Sequence, residues 1–558
     1  MEQNNNIYKK RTKIMGFVIF VIFLILLIRL YYLQFVRSEE LSSGALSQRG
    51  KEIYISAKRG TIFDRNNIPL TNDEKIPTLI VQKNELLEDE EFYKKVQKNT
   101  LLSLREFYSV IDSDEYLLAL PMKSDFSIEQ AKNNLFLVDI VNRYNKRNLL
   151  SHVIGYINKS ENRGESGIEK VFDEYLNIDS LDSFIVEYDK SRKIILDGSY
   201  HVNQDIDPYN PSGVKLTIDK HIQELVENII DEEKIKGAVI VAEAETSDIL
   251  AIASRPNFDQ NDIHNYFNNS NMALYNKALQ VGYPPGSIYK IVVLLTALEI
   301  DPKVIKDEYY CDGFADVNGI KIKCSGKHGA ISLDDGFAKS CNSVFIQLAQ
   351  DIGTNNINDM AKLLGFGEKV NIGLLEETAG NLPKGNELLG AAVGNIAIGQ
   401  GNIEVTPLQI TNMMMTIVNR GIHRPLNLIE GITNQEGYIL KKYNTEEEER
   451  IISEESSILV LNMLREVVNS GTGRYIELED IGGCGGKTGS AEGVLYQKNI
   501  IHGWFTGFYP YINPKYVITV FVEDADSGSR TAAPIFEKII REITNSQSSS
   551  HDLSFQAF

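Results

Sequence analysis

Residues 283–290 read Tyr283-Pro284-Pro285-Gly286-Ser287-Ile288-Tyr289-Lys290, and an unbroken apolar run follows at 291–295. The Pro-Pro-Gly ends the preceding element, so the pattern predicts a buried helix that begins at Ser287. Residues three apart lie on one helix face, which brings the Ser287 hydroxyl and the Lys290 amine together. A serine is a weak nucleophile at neutral pH, but a desolvated lysine with a lowered pKa can accept its proton. Because S-x-x-K also occurs by chance in surface helices, a catalytic role for this motif requires the presence of further motifs.

The amino terminus carries the pattern of a membrane anchor. Four basic residues precede an apolar run that starts at residue 14 and, after Arg29, continues to residue 36. As a helix this run spans about 34 Å, enough to cross a hydrocarbon core of about 30 Å. The basic flank predicts a cytoplasmic tail at 1–13, a single-pass anchor at 14–36 in the cell membrane and an extracellular body. A cleaved signal peptide is the rival, but no small-x-small site follows closely, and Tyr31 and Tyr32 suit an interfacial belt, so an uncleaved anchor is favoured.

The exported part divides into two predicted regions. The chain of 558 residues is long enough for two or three domains, and its net charge of −19 argues against a nucleic-acid partner. Residues 37–210 are polar and mixed, and a change of composition near residue 210 marks the boundary to a second domain at 211–544. The Ser-rich tail at 545–558 is expected to be disordered.

The second domain is predicted to have an α+β fold. Its apolar, β-branched segments predict strands at 214–218, 237–242, 249–253, 503–509 and 516–522. Asp219 is a candidate cap for a helix that runs to Asp231, and a closing helix is predicted at 533–543. Strands at both ends of the domain, with helices between them, indicate an antiparallel sheet that joins the two ends and is flanked by helices.

Two further motifs follow Ser287 along the chain. Lys339-Ser340-Cys341-Asn342-Ser343 supplies a second hydroxyl and an amide at S-x-N spacing, and Gly486-Lys487-Thr488-Gly489-Ser490 supplies a cation and two hydroxyls on a strand-like segment. Each triplet alone has an ordinary structural explanation, such as a helix cap or an exposed strand charge. The order S-x-x-K, S-x-N, K-T-G within one domain is the signature of the serine acyl-transferases that penicillin inactivates.

With these motifs the chain, from the anchor to about residue 543, resembles a class B (monofunctional) penicillin-binding protein. Further stretches similar to that family are 59–66, 167–169, 399–401, 406–409, 471–473 and 504–509. The departures are small: Ile288-Tyr289 stands where Thr-Phe is frequent, and Lys277 where the family often has Arg. No glycosyltransferase motif precedes residue 210, so the two-activity class A enzymes do not fit. The resemblance implies a penicillin-binding/β-lactamase-like fold, with residues 37–210 as an elongated, mixed α+β pedestal or dimerisation module.

The resemblance also implies an activity, a peptidoglycan DD-transpeptidase that cross-links stem peptides and is acylated by β-lactams. It assigns five catalytic residues, Ser287, Lys290, Ser340, Asn342 and Lys487. It assigns the substrate carboxylate to the segment Thr488, Gly489 and Ser490, where hydroxyl donors lie beside a cation. In these roles Ser287 is the nucleophile, Lys290 its general base, and Ser340 the relay to the departing amine.

Other functions use the same three motifs. A β-lactamase or carboxypeptidase would pass the acyl group to water, but small β-lactamases lack an anchor and a long amino-terminal module. A sensor of β-lactams would need cytoplasmic signalling machinery, and about a dozen residues precede the anchor. A docking role for residues 37–210 is compatible with the enzyme, because class B proteins are similar in working beside a membrane glycan polymerase of the SEDS type.

The cysteines offer a possible metal site. Cys311, Cys324 and His328 have the x12 and x3 spacing of structural zinc ligands. A fourth ligand is available from Asp262 or His264 in the loop before Ser287, and the similarity to a zinc-binding subset of class B enzymes favours Asp262. Such a zinc would brace the loop that leads to Ser340, and the acyl-transfer chemistry needs no cofactor.

Two alternatives to zinc stay open for these cysteines. A disulfide between Cys324 and either Cys311 or Cys341 is possible outside the cell, although anaerobic surroundings would disfavour it. The thiols can also simply be free, and Cys341 is expected to be a small, buried packing residue.

Overall fold

The computed structural model describes residues 2–38, 41, 50–127, 135–159, 161–187, 210–267, 272–443, 447–495 and 498–555. The contacts divide the chain into two compact units. The first comprises Met1–Lys58, Lys75–Val141 and Asp179–Ile206, and the second comprises Arg59–Glu74, Asn142–Ile178 and Asp207–Phe558.

The first unit begins with the predicted apolar helix. It is α-helical over Glu2–Tyr31 and continues as a π-helical turn over Tyr32–Val36. The segment Lys9–Val36 has a mean hydropathy of 2.8, and none of its most apolar window is buried inside the protein. A long apolar helix without protein cover fits the predicted single-pass anchor.

The rest of the first unit is a small α+β assembly, as predicted for this region. Strand Glu74–Gln82 lies between strands Leu117–Pro121 and Phe136–Asn142. Three helices, Lys83–Glu88, Glu90–Asn99 and Leu104–Asp112, accompany it, and their apolar side chains join those of the sheet in one core. Strands Gly50–Arg59 and Asn177–Glu187 form a separate two-stranded sheet.

The second unit is organised around a five-stranded antiparallel sheet. Its strands are β1 (Gly237–Glu243), β2 (Ile249–Arg255), β3 (Gly485–Leu495), β4 (Lys498–Tyr509) and β5 (Tyr516–Val522). Their order in the sheet is β2-β1-β5-β4-β3, so the first and last parts of the domain meet at its centre. This confirms the predicted hairpin and the predicted sheet that joins both ends of the domain.

Both faces of the sheet are covered by helices because its strands are apolar on both sides. In β1, Ile240 packs into the core that contains helix α2 (Lys290–Ile300), whereas Val239 and Val241 pack into a second core on the opposite face. That second core contains side chains of α1 (Lys220–Glu232) and α6 (Ala533–Phe555). Helix α1 is capped as predicted, since the Asp219 carboxylate accepts hydrogen bonds from the amides of His221 and Ile222.

Three further helices complete the framework: α3 (Asn342–Ile352), α4 (Pro407–Val418) and α5 (Glu454–Asn469). The remaining helical segments of this unit are Ser151–Ile154, Gly167–Val171, Asp173–Leu176, Ile263–Asn265, Gly286–Tyr289, Pro302–Lys306, Leu333–Ala338, Thr354–Leu363, Gly385–Leu388, Ala392–Ala397, Glu479–Ile481 and Gly528–Ala532. Its remaining strands are Thr61–Phe63, Ile157–Asn158, Arg163–Gly164, Gly213–Leu216, Glu308–Cys311, Phe314–Val317, Ile320–Lys323, Gly329–Ser332, Ile422–His423, Ile429–Thr433, Ile439–Lys442 and Glu449–Arg450.

Two segments placed before the predicted boundary at residue 210 belong to the second unit by their contacts. Strand Thr61–Phe63 pairs in parallel with Gly213–Leu216. The fully buried Glu169 carboxylate accepts hydrogen bonds from Arg59 at 2.5 Å, from Arg143 at 2.8 Å and from the Tyr144 hydroxyl at 3.0 Å. The last change from the first to the second unit falls between residues 206 and 207, close to the predicted boundary, while these two earlier segments also belong to the second unit.

The end of the chain also differs from its prediction. Helix α6 extends to Phe555, whereas a disordered tail was expected from residue 545. No Gly or Pro follows Thr544, so the Ser-rich segment contains no residue that would end the helix by itself.

We expect the substitution Glu169→Gln to destabilise the second unit strongly. Burial by itself would raise the pKa of Glu169, but the guanidinium groups of Arg143 and Arg59 outweigh it and lower the pKa, so the side chain is held as a carboxylate. Removing its charge leaves Arg143 without its carboxylate partner and Arg59 with Asp173 alone, and breaking a buried ion pair typically costs about 3–5 kcal/mol. The free energy of unfolding can be measured by urea titration, following the fluorescence of Trp504, the single tryptophan.

The control is Glu165→Gln, which breaks the Arg163–Glu165 pair, where the two side chains are 55% and 32% exposed. An exposed ion pair contributes less than about 1 kcal/mol, so this variant should unfold almost like the wild type. Equal losses in the two variants would contradict the assignment of Glu169 as a buried anchor.

Candidate active site

The Ser287 turn lies at the start of a helix that is buried except for its last two residues. Residues Gly286–Tyr289 form a 3-10 turn, and α2 begins directly after it at Lys290. The predicted helix therefore exists, but Ser287 lies in the turn before its first α-helical residue. Gly286 adopts a φ of +54°, and a Cβ atom there would lie 2.5 Å from the carbonyl oxygen of Ser490. The backbones of the Ser287 turn and of the K-T-G strand are thus packed against one another.

The three motifs converge, as the sequence predicted. The Lys290 amine donates hydrogen bonds to the Ser340 carbonyl oxygen at 2.7 Å and to Asn342 Oδ1 at 2.7 Å, and it lies 3.3 Å from Ser340 Oγ. The Lys487 amine donates to Ser340 Oγ at 3.1 Å. Both amines are buried, so the Ser340 hydroxyl lies between two desolvated lysines.

The Ser287 hydroxyl is half-buried and, within the described part of the chain, makes no hydrogen bond. The Lys290 amine is held by the S-x-N turn instead, and the predicted contact with the Ser287 hydroxyl is not among its hydrogen bonds to the described residues. The Asn342 side chain bridges two groups, because its amide N–H also donates to the Lys323 carbonyl at 2.9 Å.

Burial changes the acid–base properties of both lysines. It lowers the pKa of Lys290 to about 7, a shift that the nearby sulfur atoms of Cys324 and Cys341 only partly oppose. The pKa of Lys487 is also lowered well below its usual range, first by burial and then by repulsion from Lys290. An amine with a pKa near 7 can both accept and return a proton at neutral pH, which is the property that a general base needs.

The K-T-G strand presents two hydroxyls beside the lysines. Thr488 is buried and shares a hydrogen bond of 2.6 Å with the hydroxyl of Thr472. The Ser490 hydroxyl accepts a hydrogen bond from the amide of Gly528 at 3.1 Å. Gly489 lies between them, packed closely enough that a Cβ atom would be 3.0 Å from the Pro285 carbonyl. These residues form the edge strand β3, which faces the Ser287 turn.

Sequence reasoning assigned no role to Thr472, although the stretch 471–473 was noted as similar to the family. The Thr472 amide donates to the Ala338 carbonyl at 3.0 Å, which holds its side chain against Thr488. The glycines on either side of Thr472 were the signal that could have revealed this contact, because they indicate close packing. At Gly471 a Cβ atom would lie 2.2 Å from the same Ala338 oxygen, so a larger residue would not fit there.

The predicted metal ligands are partly brought together. The ligand atoms of Cys311, Cys324, His328 and Cys341 all lie within 4.8 Å of one another, a cluster that can hold a metal ion. The fourth member is Cys341, not the predicted Asp262, which is exposed, accepts a hydrogen bond from Asn265 at 2.6 Å and lies outside the cluster.

The cluster adjoins the catalytic groups. Cys341 stands between Ser340 and Asn342 in the chain, and its sulfur lies 3.5 Å from that of Cys324, with both thiols free. The hydrogen bond between the two thiols is the main cause that lowers the pKa of Cys324. His264, the second candidate ligand, is exposed in the same loop as Asp262 and also lies outside the cluster.

This geometry defines a class of protein. A serine on the turn before a buried helix, a second serine between two buried lysines and a hydroxyl-bearing edge strand together form the site of a penicillin-binding/β-lactamase-like serine acyl-transferase. The profile of the penicillin binding protein transpeptidase domain matches residues 237–541, and that of the penicillin-binding protein dimerisation domain matches residues 54–197. The chain belongs to the penicillin-binding protein transpeptidase family and has the organisation of its class B.

Individual relatives agree with this membership. Stage V sporulation protein D of Bacillus subtilis is 29% identical, over 92% of this chain and 82% of the relative. Peptidoglycan D,D-transpeptidase MrdA of Acinetobacter baumannii is 24% identical, over 96% of this chain and 88% of the relative. The structure of penicillin binding protein 3 from Mycobacterium tuberculosis in complex with aztreonam has the same fold, with a TM-score of 0.63 at 22% identity over 88% of this chain and 97% of that one.

We expect Gly286→Ala to slow acylation of the protein by penicillin. The added Cβ would clash with the Ser490 carbonyl, so the Ser287 turn must move away from β3. Displacing a reacting group by a fraction of an ångström typically costs about tenfold or more in rate. The measurement is the second-order rate constant for labelling by a fluorescent penicillin.

The matched control is Gly385→Ala. Gly385 has nearly the same backbone conformation, with a φ of +55°, but nothing lies within 4 Å of its Cβ position. Strain of about 1–2 kcal/mol is therefore expected there without a change in the labelling rate. Identical labelling rates in the two variants would argue against close packing of the Ser287 turn on β3.

Proposed function

We propose that this protein is a peptidoglycan D,D-transpeptidase that cross-links stem peptides through an acyl-enzyme on Ser287. The observation that carries the assignment is the Ser340 hydroxyl, which lies within hydrogen-bonding distance of both the Lys290 and the Lys487 amines. This arrangement supplies a base for the nucleophile and a path for its proton. The relative named as a peptidoglycan D,D-transpeptidase supports the choice of substrate.

In the first half of the reaction Ser287 Oγ attacks the carbonyl carbon of the penultimate D-Ala. Lys290 takes the hydroxyl proton, and Ser340 relays a proton to the amine of the departing terminal D-Ala as its C–N bond breaks. In the second half an amine from a neighbouring stem peptide attacks the ester, and the proton that this amine loses passes through Ser340 and Lys290 to Ser287 Oγ as the ester bond breaks. The new peptide bond is the cross-link, and a β-lactam enters as a substrate mimic whose ester with Ser287 persists.

The other site residues bind and orient the substrate. The backbone N–H groups of Ser287 and Ser490 stabilise the oxyanion, a contribution of about 3–4 kcal/mol for each donor. Lys487 supplies positive potential, and the hydroxyls of Thr488 and Ser490 hold the terminal carboxylate. Asn342 orients Lys290 and, through its amide, the donor peptide. The contact between Thr472 and Thr488 keeps one of these hydroxyls in place.

The deciding experiment is labelling of the detergent-solubilised protein by a fluorescent penicillin, comparing wild type with Ser287→Ala. We expect a covalent adduct on the wild type and none on the variant, because no other hydroxyl replaces the nucleophile. Melting temperatures of both proteins control for folding. Labelling of Ser287→Ala at the wild-type rate would overturn the assignment.

The lifetime of the adduct separates the transpeptidase from its alternatives. A transpeptidase holds the penicilloyl ester for long periods, whereas a β-lactamase of the same fold releases hydrolysed product within repeated cycles. A sensor would also keep its adduct, but it would form no cross-link when supplied with stem peptides and an acceptor amine.

The proposed location of the protein is the cell membrane, with the catalytic domain outside the cell. The basic residues before the anchor favour a cytoplasmic amino terminus and an extracellular catalytic domain. Residues 37–210 then form a pedestal beside the membrane, and a glycan polymerase of the SEDS type is the proposed membrane partner, by analogy with class B proteins.

We further propose that the cysteine cluster binds a structural zinc ion. Three thiols and one imidazole, Cys311, Cys324, Cys341 and His328, form a donor set typical of tetrahedral Zn²⁺ sites. Four protein ligands leave no open position for water, so the ion would brace the S-x-N turn without taking part in acyl transfer. The alternative for these residues is a Cys324–Cys341 disulfide, in keeping with their short separation.

We expect the protein purified under reducing conditions to contain about one zinc per chain, because four ligands form a closed site. Metal analysis of wild type and Cys311→Ser should show loss of zinc in the variant, while Asp262→Ala keeps it. Thiol counting then distinguishes the alternatives, since a disulfide would hide two of the four cysteines until reduction. Protein without stoichiometric zinc and with four titratable thiols would exclude both the ion and the disulfide.

A further inference from the structure

Glu523 is a buried carboxylate for which the acyl-transfer chemistry has no use. It follows the last residue of β5, and 6% of its surface is exposed. One carboxylate oxygen forms an ion pair with the buried amine of Lys277, and the other accepts a hydrogen bond from the Tyr283 hydroxyl at 2.9 Å. Burying a carboxylate costs free energy unless an opposite charge and hydrogen bonds offset its loss of water. These two contacts therefore hold the Glu523 carboxylate in one position.

Tyr283 begins the stretch that leads to the nucleophile, four residues before Ser287. Its ring packs against Phe521 of β5, with ring centroids 4.1 Å apart. Its main chain pairs with Val405 through two hydrogen bonds of 2.9 Å. The side chain of Tyr283 is therefore held by β5 and the contact with Glu523, while its backbone is held by a different segment.

The following residues transmit this position to the nucleophile. The Pro284 carbonyl accepts a hydrogen bond at 3.1 Å from the indole N–H of Trp504, the residue of β4 that pairs with Gly489 of the K-T-G strand. The Gly286 amide donates to the Gly399 carbonyl at 2.9 Å, and Gly286 lies against the Ser490 carbonyl. Gly286 is the residue directly before Ser287, so little freedom of movement remains between Tyr283 and Ser287.

We propose that Glu523 and Tyr283 are positioning residues for acylation. Lys277 fixes the Glu523 carboxylate, Glu523 fixes the Tyr283 hydroxyl, and Tyr283 thereby sets how far the Ser287 turn stands from β3. The proposal rests on the proposed role of Ser287 as nucleophile. Its physical basis is that the two oxyanion donors lie on different segments, the Ser287 turn and β3, so their separation must be set by contacts between those segments.

The first test is Tyr283→Phe, which keeps the ring packing and removes only the hydroxyl. We expect the rate of acylation at saturating fluorescent penicillin to fall about ten- to a hundredfold, because the nucleophile is displaced. The apparent dissociation constant of the non-covalent complex should stay unchanged, because the carboxylate-binding hydroxyls are not touched. Both constants come from stopped-flow labelling of the full-length protein in detergent.

Tyr144→Phe is a matched control. Tyr144 is equally buried in the same unit, and its hydroxyl also donates to a buried carboxylate that pairs with cations, that of Glu169. The two substitutions should lower the melting temperature by similar amounts, but Tyr144→Phe should leave the acylation rate unchanged. A similar fall of the acylation rate in both variants, or in neither, would overturn the proposal.

A second variant, Glu523→Gln, distinguishes an effect on the position of Ser287 from an effect on the stability of the fold. The amide still offers the Tyr283 hydroxyl a hydrogen-bonding partner, whereas Lys277 loses its counter-charge. We therefore expect Glu523→Gln to have a lower melting temperature than Tyr283→Phe but to be acylated faster than Tyr283→Phe. If the variant with the lower melting temperature were also the one that is acylated more slowly, the contact would only stabilise the fold. That result would reject a positioning role for Glu523 and Tyr283. If Ser287→Ala were still labelled, the proposed function itself would fail, an outcome distinct from unchanged labelling of Tyr283→Phe.

Discussion

The buried amine of Lys290 is the constraint on which the catalytic domain depends. An ammonium group without water needs partners, and here it takes them from the Ser340 carbonyl and the Asn342 side chain. This requirement joins α2 to the turn before α3. The same burial lowers the pKa of Lys290 to about 7, so one physical condition both holds two elements together and gives Lys290 the pKa that its proposed role as a base requires. Structure and chemistry at this site have a common cause.

The five-stranded sheet supplies the second requirement, a fixed distance between Ser287, the proposed nucleophile, and β3, the strand proposed to bind substrate. Trp504 shows how it does so, since its backbone pairs with Gly489 of β3 and its indole N–H holds the Pro284 carbonyl. A single residue of β4 thus touches both halves of the site. Because β4 is paired on both sides, its position cannot shift without breaking the sheet.

The predictions that succeeded rest on local patterns, and those that differed depend on long-range contacts. The Asp219 cap and the hairpin of β1 and β2 were predictable, because capping and alternation act over a few residues. The fourth member of the cysteine cluster was not predictable, because the spacing of three ligands along the chain does not indicate which distant residue completes the cluster. The sequence favours packing or a disulfide with Cys324 for Cys341, and the turn that positions Ser340 also brings the Cys341 sulfur to 3.5 Å from that of Cys324.

The sequence by itself determined the apolar anchor helix, the α+β class, the order of the three motifs and the family. The helix and the fold class follow from composition and periodicity, which act through neighbouring residues, whereas the family follows from the resemblance of the three motifs to those of known proteins. Only the tertiary structure decided which segments share the catalytic unit, that Thr472 supports Thr488, and that Tyr283 meets Glu523, 240 positions away. Such pairs depend on how the elements pack, and no local pattern encodes the distance between two side chains that meet only when the sheet has formed.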